Sequence, residues 1–325
     1  MKLRGIDFGY VMNASSARNF FGQGYPYHRW WRKWGLDYTG STFVAKTTTL
    51  EKRDGFMPLR DDLQPVEKRP ACIKVNFRSA AVLNAVGLSG PGLPCLLQQG
   101  SWQRRATPFF ISFAAVADTS SERLDKWKKF ARILQTYMPA SNKKIAPPMG
   151  LEINPFCPNT GHDFASIEEI LAVLDIMSCL QIPLVVKINV LMNVASADKI
   201  QQHPACDAIC VSNTIPFGKL PLQISWKYLW GSNAQSPLSQ FGGGGLSGAP
   251  LFWLVAEWIR LARQYGFYKP IIGCGGIICP QNARIMFNMG ANAIQLGSVS
   301  IVRPWRVQRI IQHANAYARE MEKAR

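Results

Sequence analysis

Acidic residues are scarce in this chain of 325 residues: 20 Asp and Glu stand against 37 Lys and Arg, a formal net charge of +17. A surplus of that size draws anions, whether nucleic acid, phosphorylated cofactor, acidic lipid or carboxylate substrate, without choosing among them. The positive residues are dispersed, as in "KRPACIKVNFR", "KWKKFAR" and "RPWRVQR", and no block of six like charges marks a tail. Histidine is rarer still, with four residues, and none joins the cysteines at zinc spacing. The eight cysteines include no CxxC pair, which sets aside thioredoxin-type redox motifs and zinc ribbons. No run approaches the roughly 18 apolar residues that span a bilayer. Met1 leads directly into "KLRGIDFGYVMNAS" with no apolar leader segment, so the expectation is a soluble cytoplasmic protein with free thiols.

What is present is material for a large core. Hydrophobic residues make up 47 % of the chain and mean hydropathy is −0.03, ordinary values for a globular protein. Eight short apolar runs read as strands: "GYVMNA" (9–14), "TFVAKT" (42–47), "PFFISFA" (108–114), "GLEIN" (150–154), "PLVVKIN" (183–189), "AICVSN" (208–213), "PIIGCG" (270–275) and "NAIQLG" (292–297). Amphipathic stretches at 121–138, 166–180, 249–266 and 280–290 lie among them. In the first, Leu124, Trp127, Ala131 and Leu134 recur at helical spacing; Ser166 and Glu169 open the second in capping-box positions. Nearly continuous apolar strands alternating with helices predict a parallel sheet covered by helices. Eight is the count of an α/β (β/α)8 TIM barrel, with a doubly wound open sheet as the competing architecture. Segments 55–105 and 214–245 fit no such unit and read as inserted loops over the C-terminal face. Neither an internal repeat nor a linker is evident, which predicts one domain over 1–325.

In a barrel, chemistry gathers at the C-terminal strand ends. Here those ends carry Asn13–Ser16, Lys46–Thr49, Asn154, Lys187, Ser212–Thr214, Gly273–Gly276 and Gln295–Ser298. Two lysines closing apolar strands point to an anionic ligand, although a strand-end lysine also snorkels to solvent. "GCGG" and "LGS" follow the seventh and eighth strands, where such barrels bind phosphate, and "GGGGLSG" offers a third side. A mononucleotide with one phosphate fits best; GxGxxG is not satisfied. In "GLEINPFCPNTG" (150–161), Cys157 lies between Asn154 and Asn159 and reads as a buried thiol, a metal ligand, a nucleophile or a proton-transfer base.

Taken in order, "MNASS", "KTTTLEKRDG", "NAVGL", "EINPFCPN", "VVKI", "VSNT", "GGLSG", "IIGCGGI" and "AIQLGS" resemble the dihydroorotate dehydrogenase family over about residues 8–312. The resemblance implies an FMN-dependent barrel that oxidises dihydroorotate to orotate in pyrimidine synthesis. It implies that Cys157 is the base taking the C5 proton while C6 passes a hydride to the flavin, and that Lys46 lies between flavin and substrate. Asn84, Asn154, Asn159 and Asn213, with Thr214 and the backbone of Val86, Gly87 and Leu88, would hold the substrate. Lys187 would face the flavin's pyrimidine end; Gly248, Gly275, Gly276, Gly297 and Ser298 would cradle its phosphate, with further contacts from Ala14, Ser15 and Ser212. A cysteine base implies the soluble branch, since the membrane-linked branch uses serine. The soluble branch passes electrons to fumarate or through an iron–sulfur partner subunit, and the family's habit is a homodimer.

Three features depart from the family pattern. Pro155 and Phe156 stiffen the approach to the thiol, segment 18–35 is more aromatic and basic than the usual first helix, and the net charge is high. "HRWWRKW" (28–34) reads as part of a barrel helix with an exposed basic face, with a membrane-interface segment as the alternative. Two rival functions remain. One is a reductase of another pyrimidine such as uracil, against which Asn159 counts; the other is a non-enzymatic basic barrel binding nucleic acid or protein.

Overall fold

The computed structural model of the chain describes residues 1–138, 148–155 and 165–324. All eight expected strands form: β1 Val11–Asn13, β2 Phe43–Val44, β3 Phe109–Phe113, β4 Met149–Ile153, β5 Leu184–Ile188, β6 Ala208–Val211, β7 Ile271–Cys274 and β8 Ala293–Leu296. They run parallel, each beside its successor from β2 to β8, and β8 returns to β1 with Leu296 opposite Asn13. A parallel bridge between Met12 and Thr42 joins β1 to β2, with the Thr42 amide donating to the Val11 carbonyl at 2.9 Å. The result is a (β/α)8 barrel.

Strand periodicity explains how it fills. Odd-numbered positions such as Phe109, Ile111, Leu151, Ile153, Ile209 and Ile271 pack in one cluster with the helix residues. Met12, Val44, Phe110, Val185, Ala208, Cys210, Ile272, Cys274 and Ala293 form another, inside the barrel. Gly150 is needed there, because a Cβ would lie 2.3 Å from the Phe110 ring. A hairpin of Lys2–Leu3 with Ile6–Asp7 precedes β1, and Phe8 packs on Phe110 with ring centroids 4.2 Å apart.

The helices Ser120–Tyr137, Ile167–Ser178, Phe252–Gln264 and Pro280–Asn288 match the amphipathic stretches within a few residues. The first opens on a full capping box between Thr119 and Glu122. In the second only half of the expected box forms. Ser166 caps the Glu169 amide, but the Glu169 carboxylate turns away to pair with Arg123 of the neighbouring helix, with both contacts at 2.7 Å.

Two expectations need correction. Segment 18–35 is not a barrel helix: only His28–Trp31 and a single 3-10 turn, Arg32–Trp34, are helical. Positive φ at Asn19, Gly22 and Gly24 and a proline at 26 interrupt the chain before them. The long connections are not plain loops either. From 55–105 come strands Ile73–Asn76 and Ala81–Asn84, which pair antiparallel with each other. Gly245–Gly248 pairs with Ala81–Asn84 and, on its other side, with Ile215–Pro216, completing a four-stranded sheet. Two helices absent from the sequence reading, Val194–Gln202 and Val307–Lys323, complete the outer layer. No helix among the described residues is long and apolar enough to cross a membrane.

Candidate active site

The apolar filling of the barrel gives way to polar side chains toward the C-terminal ends. Ser112, Glu152, Lys187 and Gln295 are all buried. Glu152 accepts from Ser112 Oγ at 3.0 Å and from Gln295 Nε2 at 2.7 Å, and lies 3.7 Å from Lys187 Nζ. Lys187 Nζ donates to Gln295 Oε1 at 3.0 Å. Burial works against the Lys187 charge, yet the carboxylate of Glu152 together with Cys274 and Cys210 holds the ammonium's pKa above its ordinary value. Cys210 and Cys274 lie within the field of this pair. Hydrogen bonding to Cys210 takes Cys274 down to about 7, while burial pushes Cys210 up.

A second chain of polar groups runs across the strand ends. Thr47 Oγ1 is 2.9 Å from Ser112 Oγ and donates to Ser15 Oγ at 3.3 Å. Asn154 Nδ2 donates to Thr47 Oγ1 at 3.3 Å, and Asn154 Oδ1 accepts from Asn213 Nδ2 at 2.8 Å. The Thr214 amide donates to Asn213 Oδ1 at 2.9 Å. Lys46, just past β2, is 2 % exposed. Its ammonium donates to the Ser89 carbonyl and lies 4.7 Å from the centre of the Phe20 ring. Strands β1, β2, β4, β5 and β6 thus each deliver a polar side chain to one plane, and hydrogen bonds fix their orientations before any ligand arrives.

This plane forms part of the wall of a cavity of about 310 Å³. Of the residues named from sequence, Ala14, Ser15, Lys46, Asn84, Val86, Leu88, Asn154, Lys187, Ser212, Asn213 and Thr214 line it. So do Gly248, Gly275, Gly276, Gly297 and Ser298. Gly87 is not among the lining residues. Its φ of +72° turns the chain between Val86 and Leu88, and a Cβ there would come within 3.2 Å of Gly55. Cys157 and Asn159 lie outside the described residues.

The glycines are where the backbone needs them. A Cβ on Gly248 would stand 2.2 Å from the Ala80 carbonyl oxygen, and one on Gly276 2.6 Å from the Phe252 amide nitrogen. Both have positive φ, +98° and +67°. Beside them Ser298 Oγ donates to Ser247 Oγ at 2.7 Å. Among the described residues no group of three His, Cys, Asp or Glu is placed to hold a metal. The "CDAIC" thiols separate: Cys206 packs in the cluster with the helices and Cys210 inside the barrel.

Glu152 was not singled out from the sequence, and Thr47 and Gln295 stood among the polar strand ends without an assigned role. The signal was available for Glu152, a carboxylate at an inward position of an otherwise apolar strand, one strand from an inward lysine. Tyr25 and Tyr27, which also line the cavity, carried no signal.

The family model described as "Dihydroorotate dehydrogenase" matches residues 19–317. The catalytic subunit of dihydroorotate dehydrogenase B (NAD(+)) from Streptococcus pneumoniae is 26 % identical over 322 residues, covering 96 % of this chain and 90 % of that one. Dihydroorotate dehydrogenase A (fumarate) from Limosilactobacillus reuteri is 25 % identical over 281 residues, covering 84 % and 79 %. Among solved structures, Eimeria tenella DHODH in complex with ferulenol superposes with a TM-score of 0.68 at 17 % identity, covering 98 % of this chain and 84 % of that one, a likeness of fold. With the model matched from the loop after β1 to the last helix, on a barrel whose C-terminal mouth holds the expected residues, the chain belongs to the dihydroorotate dehydrogenase family.

Proposed function

We propose that this protein is an FMN-dependent enzyme that oxidises dihydroorotate to orotate in pyrimidine synthesis. The observation that carries the reading is the meeting of Lys46, Asn84, Asn154, Lys187 and Asn213 with the glycine ends of β7 and β8 on one cavity. The lining suits a flavin mononucleotide. Gly248, Gly275, Gly276 and Gly297 leave room for a phosphate beside the Ser247 and Ser298 hydroxyls, and Leu251, Ile277 and Val299 offer apolar surface.

When bound, FMN supplies the two-electron acceptor for the hydrogen leaving C6. The chain's own residues do the rest. Cys157 takes the C5 proton, which requires its thiolate near neutral pH. Asn84, Asn154, Asn159, Asn213 and Thr214 donate to and accept from the pyrimidine ring and its carboxylate, helped by the backbone of Val86, Gly87 and Leu88. Lys46 would lie between flavin and substrate, and Ala14, Ser15 and Ser212 would hold the flavin's flank. Lys187, kept charged by Glu152, stabilises negative charge developing at its end of the cavity.

The test is a visible spectrum of the purified protein before and after dihydroorotate is added without oxygen. Yellow protein that bleaches is expected. Yellow protein that bleaches only with another pyrimidine overturns the substrate, and protein that takes up no flavin overturns the reading. Cys157→Ala is expected to keep FMN and slow bleaching by about 10²- to 10⁴-fold; bleaching at the parent's rate removes Cys157 as the base.

Electrons then leave to fumarate at the same site or to an iron–sulfur partner subunit, and the relatives include an enzyme named for fumarate and subunits named for NAD(+). Return of the yellow colour when fumarate meets the reduced protein marks the first; its absence marks the second. The same reading takes residues 1–325 as a single domain acting as a cytoplasmic homodimer, twice 36.3 kDa in sedimentation.

A further inference from the structure

A second cavity, of about 370 Å³, lies between the loop after β1 and the segment leading into β2. Arg18, Gln23, His28, Arg32, Asp37 and Tyr38 supply its polar wall, and no residue lines both this cavity and the one at the barrel mouth. The Arg18 guanidinium lies over two rings, 4.9 Å from the centre of Tyr38 and 5.6 Å from that of Phe43. His28 is 5 % exposed, and its buried Nε2 has no hydrogen-bond partner among the described residues. The rings of Tyr25 and Tyr27 meet the imidazole edge-on, with centroids 5.6 and 4.5 Å away.

The charges here are unbalanced. Asp37 is the acid in the wall, and its Oδ1 already accepts from the Thr39 amide at 2.9 Å and the Thr39 hydroxyl at 2.8 Å. Among the described residues no carboxylate forms an ion pair with Arg18 or Arg32. Burial, and then the field of the two guanidiniums, takes His28 down to about 4, so the ring is neutral and still has an N–H to give. Gln23 is no competitor, since its Oε1 is occupied by the Phe21 amide.

Two guanidiniums face a single carboxylate here: the field of Asp37 acts on Arg18 without forming an ion pair, and the balance of charge stays positive. Two guanidinium forks offer donors to the several oxygens of a phosphate, more than the two oxygens of a carboxylate can engage. We propose that this pocket is a binding site for a phosphate group, free or carried on a small ester, held by Arg18 and Arg32 beside the His28 ring. Because Tyr25 and Tyr27 pack on His28 and also line the barrel-mouth cavity, an occupant here adjoins that cavity's wall.

The probes are inorganic phosphate, ribose 5-phosphate and acetate, each added to the full-length protein at constant ionic strength. The His28 ring resonances, identified by their loss in His28→Phe, give a readout local to this pocket. Saturable shifts with both phosphates and none with acetate are expected, and the tighter of the two tells free phosphate from ester. Arg32→Gln, a change at an exposed side chain that leaves the fold intact, is expected to weaken binding about 10- to 100-fold. Acetate as effective as phosphate, no saturable shift at millimolar phosphate, or unchanged affinity in Arg32→Gln would each overturn the site.

Discussion

Lys187 and Arg18 are both cations drawn out of water, and the molecule treats them differently. Lys187, inside the barrel, has a carboxylate at 3.7 Å from the neighbouring strand β4 and an amide oxygen at 3.0 Å from β8 across the barrel. Arg18, in the loop after β1, has aromatic faces and another arginine nearby, and burial pulls its pKa down. The difference follows from geometry. Adjacent strands that alternate inward and outward can bring a glutamate beside a lysine inside the barrel, so the charge is balanced by the chain itself. A loop interrupted by glycine and proline has no such register, and its positive charges are left to whatever the solvent brings.

The comparison is tested most severely at Glu152. Glu152→Gln keeps the shape but removes the charge facing Lys187 and turns one of the two acceptor oxygens into a donor. Losing one partner of a buried pair costs about 3–5 kcal/mol, and a loss of that size is expected in urea unfolding at neutral pH. Glu152→Gln combined with Lys187→Met should recover most of it. If the single variant unfolds within about 1 kcal/mol of the parent, the size of a surface pair, pairing is not what settles Lys187.

These two regions also mark how far the sequence could be read. The barrel was legible because each strand is a short apolar run whose alternation is local, and Lys46, Asn154, Lys187 and Asn213 announced themselves as polar residues ending such runs. What escaped depends on pairing over long separations. The sheet that sets Asn84 opposite Gly245 is one that no local pattern encodes, and Asn84 itself was named only through the family resemblance. Gln295 matters because it touches both Lys187 and Glu152 from another strand. The helix expected in 18–35 failed for a local reason, the breakers ahead of His28, while the Val307–Lys323 helix was passed over despite burying Ile310, Ile311, Ala314 and Ala318 on one face.

A middle-sized effect is expected at His28. Its ordinary pKa near 6.5 falls to about 4 in the folded protein, so between those values the unfolded chain binds a proton that the native ring refuses. Stability is therefore full above pH 6.5 and drains away as the pH falls toward 4, by about 3 kcal/mol in total. Unfolding of the parent and of His28→Phe, compared at each pH, isolates this contribution from the carboxylates that titrate in the same window. A parent that tracks the variant through the window would mean that His28 already has its counter-charge. The loop would then resemble the barrel interior after all.

The smallest effect makes the sharpest contrast, since it uses one substitution in both regions. Lys187→Met abandons Glu152 in the barrel and should cost about 3–5 kcal/mol. Arg18→Met breaks no ion pair among the described residues, keeps a flexible apolar stem against Tyr38 and Phe43, and gives up the field of Asp37 and cation–ring attraction of about 0.5–2 kcal/mol. Against that loss it removes a buried like charge from beside Arg32 and His28. The expected net change in phosphate-free buffer is within about 1 kcal/mol. Phosphate should then separate the two proteins: the parent gains stability in proportion to the logarithm of occupancy, and Arg18→Met gains little. Equal gains in both would show that the added anion stabilises the fold somewhere other than beside Arg18.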